Sequence, residues 1–109
     1  MAKTFEERLA NISNPTALKL LTTIIKKRSN LAVAADLTTS QELIEIASTL
    51  GPYICCLKTH IDILSDWTPE VSSELVRLAK VHDFVLFEDR KFADIGHTVN
   101  MYFLMPIYQ

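Results

Sequence analysis

Glycine is scarce in this chain. Its 109 residues contain only Gly51 and Gly96, where average usage of about 7% would supply about eight. Gly-rich phosphate loops are thereby excluded: there is no Walker A loop, no dinucleotide fingerprint and no kinase-type loop. The two cysteines, Cys55 and Cys56, are neighbours. They cannot staple a small secreted domain, so a reduced, cytoplasmic setting is expected. No uncharged run approaches the ~18 residues of a membrane helix. The charged start, Met1 to Arg8, has no apolar stretch, and no secretory signal is expected there. Positive charge is not in excess. Lys plus Arg number 11 against 13 Asp plus Glu, for a net charge of −2 and a pI near 5.9. Neither a nucleic-acid partner nor a membrane partner is expected from that balance. What the chain does have is 49% hydrophobic and 22% charged residues, the composition of a folded domain and not of a disordered tail.

The apolar residues alternate between two kinds of segment. Asn14-Pro15 opens a helix as N-cap and first residue, Leu18, Leu21 and Ile25 follow at helical spacing, and Lys26-Lys27-Arg28 suits its C-terminus. Leu31 to Ala35 is a short apolar run ending at Asp36, read as a buried strand. Thr39-Ser40-Gln41-Glu42 is a capping box for a helix with Leu43, Ile46, Ala47 and Leu50 on one face, stopped by Gly51-Pro52. Tyr53 to Leu57 forms a second apolar run, ending at Lys58. Thr68-Pro69-Glu70 starts a third helix, striped by Val71, Leu75, Leu78 and Ala79. Phe84 to Phe87 is a third apolar run, ending in Glu88-Asp89-Arg90-Lys91. Strands alternating with amphipathic helices predict an α/β fold with a parallel sheet, both of its faces covered.

Each strand ends in ionisable residues: Asp36, then Lys58 and His60, then Asp89 and Lys91. In parallel α/β folds these ends share one rim, where ligands bind. A loop-edge charge is the plainer reading of any one of them, but three successive strands share the feature. In Glu88-Asp89-Arg90-Lys91, continued strand geometry puts Asp89 and Lys91 on one side and Glu88 and Arg90 on the other. Asp94 follows on the loop. A lysine between two aspartates is held protonated, which suits a proton donor, although a purely structural ion-pair network has the same pattern. Lys58 is open to three roles: a Schiff-base lysine, an anion contact or an ion-pair partner. Trapping with borohydride in the presence of a carbonyl substrate singles out the first. His60 has no spaced partners that would make a metal site. Cys55 and Cys56 read as packing thiols on opposite faces of a strand, Trp67 and Phe92 as packing residues, and His82-Asp83 as a helix end and turn.

Two segments carry a family resemblance: Leu57-Lys58-Thr59-His60-Ile61-Asp62-Ile63-Leu64 and Phe87-Glu88-Asp89-Arg90-Lys91-Phe92-Ala93-Asp94-Ile95-Gly96. They closely resemble the signatures of the orotidine 5′-phosphate decarboxylases. Ala35-Asp36, Leu50-Gly51-Pro52, Asp66-Trp67-Thr68 and the lead-in around Phe5 to Arg8 and Asn14-Pro15 are similar to the eukaryotic, stand-alone fungal form. The resemblance implies a (β/α)8 TIM barrel, of which this chain holds about three N-terminal βα units over residues 1–99. Residues 100–109 are expected to be a divergent apolar tail, with the barrel truncated there. It further implies decarboxylation of orotidine 5′-monophosphate to UMP in pyrimidine biosynthesis, without metal or organic cofactor, by a cytoplasmic homodimer. Lys91 matches the residue that protonates C6, Asp89 the one beside the substrate carboxylate, and Lys58 belongs to the same charged array. Asp94 matches a residue given to that array by the second subunit, with Ile95 and Thr98 nearby. Asp36, Lys58, Thr59 and His60 match contacts on the ribose side. An alternative expectation is an inactive fragment that pairs with a full-length subunit.

Overall fold

The computed structural model of the chain describes residues 2–89. Lys91, Asp94, Ile95 and Thr98, together with Arg90, Phe92 and the segment 100–109, lie outside the described residues. Four helices and three strands follow in the order α1 (Phe5–Leu9), α2 (Pro15–Lys27), β1 (Ala32–Ala35), α3 (Ser40–Leu50), β2 (Cys56–Thr59), α4 (Pro69–His82) and β3 (Val85–Glu88).

The helix ends follow the local chemistry. Asn14 Oδ1 accepts from the backbone N–H groups of Thr16 and Ala17 at the start of α2. The Thr39 hydroxyl accepts from Glu42 N–H at the start of α3. It donates to the Glu42 carboxylate at 2.7 Å, so this carboxylate holds the cap's side chain rather than its backbone. Thr68 caps α4 ahead of Pro69. Helix α1 is an element beyond the sequence expectation. It rests on a reciprocal capping box between Thr4 and Glu7, whose Thr-x-x-Glu spacing is visible in the sequence. Helices α2 and α4 each end in a left-handed residue, Arg28 and Asp83, which turns the chain back toward the sheet.

All three strands are parallel, in the spatial order β1-β2-β3. The register aligns Val33, Leu57 and Leu86 in one row, Ala34, Lys58 and Phe87 in the next, and Ala35, Thr59 and Glu88 in the third. Because side chains alternate, the first and third rows share one face and the middle row lies on the other. The first face is the core. Val33, Ala35, Leu57 and Leu86 pack there with Leu43 and Ala47 of α3, Val71, Leu75 and Leu78 of α4, and the flanking Ile54 and Phe84. Leu43, Ile54, Leu57 and Leu75 are completely or almost completely buried, and each contributes about 1.5–3 kcal/mol by leaving water.

Among the described residues the second face differs from the expectation of a sheet covered on both sides. Ala32, Ala34 and Phe87 are exposed, and Cys56, Lys58 and Val85 are half-buried; Phe87 retains 53% of its accessible surface. Consecutive right-handed crossovers between neighbouring strands place α3 and α4, the two crossover helices, on the same side. Among the described residues the other side is therefore left open. Leu31 and Tyr53 are exposed as well. β1 begins only at Ala32, and Tyr53 belongs to a 3₁₀ turn over Gly51–Tyr53 rather than to β2. Leu18 is exposed on α2 while Leu21 is buried.

Opposite the strand C-termini, Lys27 joins three elements. Its ammonium donates to the carbonyls of Gly51 at 2.8 Å, Ile54 at 2.6 Å and His82 at 2.7 Å. One cation thus satisfies the C-terminal ends of α3 and α4, whose last carbonyls have no partner within the helix. Burial lowers its pKa from the usual lysine range, partly offset by Asp83. The glycine at 51 is required by the same junction. A Cβ there would meet the His82 side chain at 2.8–3.0 Å.

Candidate active site on the open face of the sheet

The open face carries the charged strand ends. Strand alternation extends it from Ala34, Lys58 and Phe87 to Asp36, His60 and Asp89. Residues from three separate βα units are thereby brought to one rim, as the sequence expectation required. Lys58 Nζ lies 3.2 Å from Asp89 Oδ2, with the two side chains 44% and 40% exposed. At that exposure the pair adds only about 0–1 kcal/mol to stability. His60 Nε2 lies 4.0 Å from Asp62 Oδ2. Asp36 is exposed just past the end of β1. Of the residues singled out in the sequence, the structure brings Lys58 and Asp89 into contact and seats His60 and Asp36 on the same rim.

Thr59 sits differently. It is fully buried on the helix-covered side, and its hydroxyl donates to Glu88 Oε2 at 2.6 Å. Glu88 and Asp89 therefore face opposite ways, as period two predicts. The backbone continues the ladder, with Asp89 N–H donating to the Thr59 carbonyl at 2.8 Å.

The loops of the rim are tied to one another. Ser65 donates to the Thr38 carbonyl through its backbone N–H at 2.9 Å and its hydroxyl at 3.1 Å. Asp66 accepts from Ser40 N–H at 2.8 Å and from the Ser40 hydroxyl at 2.7 Å. Those bonds hold its carboxyl below the usual carboxylate range. The β1–α3 loop, which carries Asp36, and the β2–α4 loop, which carries His60, are thus fastened together. The Ser-Asp pair has no sequence signal beyond its polar loop composition, because its partners lie in another βα unit.

The remaining residues mostly pack. Cys55 is buried, and its thiol lies 3.4 Å from the Leu31 carbonyl. Burial raises the pKa of both Cys55 and Cys56, the opposite of what a reactive thiol needs. Trp67 packs against the core and donates from Nε1 to the Ser72 hydroxyl at 2.8 Å. His82 ends α4, and Asp83 turns the chain toward β3. Among the described residues no three His, Cys, Asp or Glu side chains form a metal-ligand cluster, and no helix is long and apolar enough to cross a membrane.

Sequentially ordered parallel strands, both crossover helices on one side and charged residues on the C-terminal rim fit the class of consecutive βα units from a (β/α)8 barrel. The family is specific. A sequence model of the orotidine 5′-phosphate decarboxylase / HUMPS family matches residues 29–107, and the chain belongs to that family. The match runs past Val99 into the segment 100–109. Several similar curated proteins are named orotidine 5′-phosphate decarboxylase. That of Rhizopus oryzae is 51% identical over 107 residues, covering 98% of this chain and 40% of its own length. That of Schizosaccharomyces pombe is 43% identical over 107 residues, covering 98% and 40%. That of Passalora fulva is 54% identical over 95 residues, covering 87% and 34%. The chain thus spans about two fifths of the length of the curated relatives it matches.

Proposed function

We propose that these residues form the N-terminal part of a site that decarboxylates orotidine 5′-monophosphate to UMP, in a cytoplasmic homodimer that makes pyrimidine nucleotides. The observation that carries this reading is the Lys58–Asp89 pair on the open face, in a chain of this family. A solvent-facing ion pair that adds little to stability is suited to meeting a ligand.

In this reading Asp36, Lys58, Thr59 and His60 form the ribose side of the site. With Thr59 buried, its part is to shape the backbone beside His60. Asp89 lies against the substrate carboxylate. The bond from C6 to that carboxylate breaks, carbon dioxide leaves, and the electron pair stays on C6. The Lys91 ammonium stabilises this carbanion and then transfers a proton to it, leaving a neutral amine that water reprotonates. Lys58 supports the same array, and Asp94 joins it from the second subunit with Ile95 and Thr98 beside it. Repulsion between Asp89 and the substrate carboxylate is relieved as carbon dioxide departs. No metal or organic cofactor takes part, because charge and a proton donor supply all that the step needs.

Replacement of Lys91 in the intact protein tests the reading. Lys91→Ala is expected to abolish turnover, followed by the loss of orotate absorbance, while the fold is kept. Lys91→Arg is expected to fail as well, since guanidinium is a far weaker acid than ammonium. A Lys91→Ala protein within about tenfold of the normal kcat overturns the assignment, because a positioned proton donor contributes at least about a hundredfold.

A further inference from the structure

We propose that Glu88 is a positioning residue for His60, with one carboxylate gripping the chain on both sides of that histidine. The proposal rests on the reading of the open face as the substrate site. Glu88 Oε2 accepts from the hydroxyl of Thr59, the residue before His60, at 2.6 Å. Glu88 Oε1 accepts from the backbone N–H of Ile61, the residue after it, at 3.0 Å.

The grip falls where the backbone changes character. His60 ends the extended course of β2 with φ −135° and ψ 77°, and a 3₁₀ turn over Ile61–Ile63 follows at once. His60 offers that turn no side-chain cap. The first N–H of the turn lies beneath a buried side chain, Ile61 being 3% exposed. A buried donor of this kind needs an acceptor, and Glu88 supplies one. The turn in turn presents Asp62 Oδ2 at 4.0 Å from His60 Nε2. On the other side of the same point, Asp89 N–H holds the Thr59 carbonyl at 2.8 Å. The two residues at the end of β3 therefore divide the work. Asp89 pairs with Lys58 on the open face, and Glu88, from the covered side, sets the backbone that aims the His60 ring.

The test uses Glu88→Ala, Glu88→Gln and Thr59→Val in the intact protein. It has three readouts: amide hydrogen exchange at Ile61, the NMR resonances of the His60 ring, and the dissociation constant of UMP. In Glu88→Ala, Ile61 is expected to exchange about tenfold faster or more, the His60 ring resonances to move, and UMP to bind about tenfold more weakly. Glu88→Gln keeps an acceptor for Ile61 and a polar partner for the Thr59 hydroxyl, so it is expected to stay within about threefold of the parent on exchange and binding. A glutamate that merely stabilised the fold would lower the melting temperature and leave the His60 resonances in place. Should Glu88→Ala not fold, Thr59→Val removes one of the two bonds and is expected to move the same resonances by less. Unmoved His60 resonances in every folded variant overturn the proposal. The first two readouts need no ligand. Movement of His60 in a protein that never binds UMP supports the positioning role while refuting the substrate reading. UMP binding that is equal in all variants, with His60 unmoved, does the reverse.

Discussion

The ammonium of Lys58 and the carboxylate of Asp89 meet at 3.2 Å across the C-terminal ends of β2 and β3, on the face of the sheet that no described helix covers. Both groups remain open to solvent. Their value to the fold is therefore small, and in the proposed site their larger value is to a ligand that displaces the water around them.

Lys58→Met should separate these two contributions. We expect thermal unfolding of the intact protein to change by less than about 1 kcal/mol, as for other exposed ion pairs. Turnover of orotidine 5′-monophosphate should fall by about a hundredfold or more, the scale of losing one preorganised charge from an active site. Equal losses in stability and activity would point to a structural pair instead.

Lys27→Met should show the opposite pattern. The change leaves the carbonyls of Gly51, Ile54 and His82 without the cation they share. A cost of about 2 kcal/mol is expected, in line with charge-assisted hydrogen bonds. Urea unfolding reads it directly. The site at the far end of the strands should keep its affinity for UMP whenever the protein is folded.

Asp66 should add acid sensitivity. Its pKa is lowered by the hydroxyl and then the backbone N–H of Ser40. A carboxyl with a depressed folded pKa contributes stability above its unfolded value. That contribution is lost as pH falls below the ordinary value of 3.8 and through the lowered one. Asp66→Asn has nothing to titrate there, so its urea midpoint should fall less steeply between pH 5 and pH 2 than that of the parent. Parallel curves would show that the Asp66–Ser40 clip does not form in solution.

A polypeptide of these 109 residues alone should not turn over orotidine 5′-monophosphate. It corresponds to about 40% of the length of its relatives. Remote binding energy, such as a grip on the phosphate, is what would hold the reacting ring against the charged rim. With Ala32, Ala34 and Phe87 exposed on the sheet, it should also self-associate. Absorbance assays and size-exclusion chromatography check both points. A monodisperse monomer with substrate-dependent turnover would show that three βα units suffice.

The sequence by itself determined the local structure and the family. Caps such as Asn14-Pro15 and Thr68-Pro69, and the helical stripes of α3 and α4, are interactions within a few residues, so they can be read without a fold. The motifs around Lys58 and Asp89 are contiguous, and they were legible for the same reason. Other features depended on tertiary structure. Register and crossover side decided that, among the described residues, one face of the sheet is left open, that Thr59 turns inward, and that Glu88 holds the residues flanking His60. Lys27 read as one of three basic residues at a helix end; only the meeting of α2, α3 and α4 made it a shared cap. In each case the partner lies in another βα unit, and a linear pattern carries no information about which units meet.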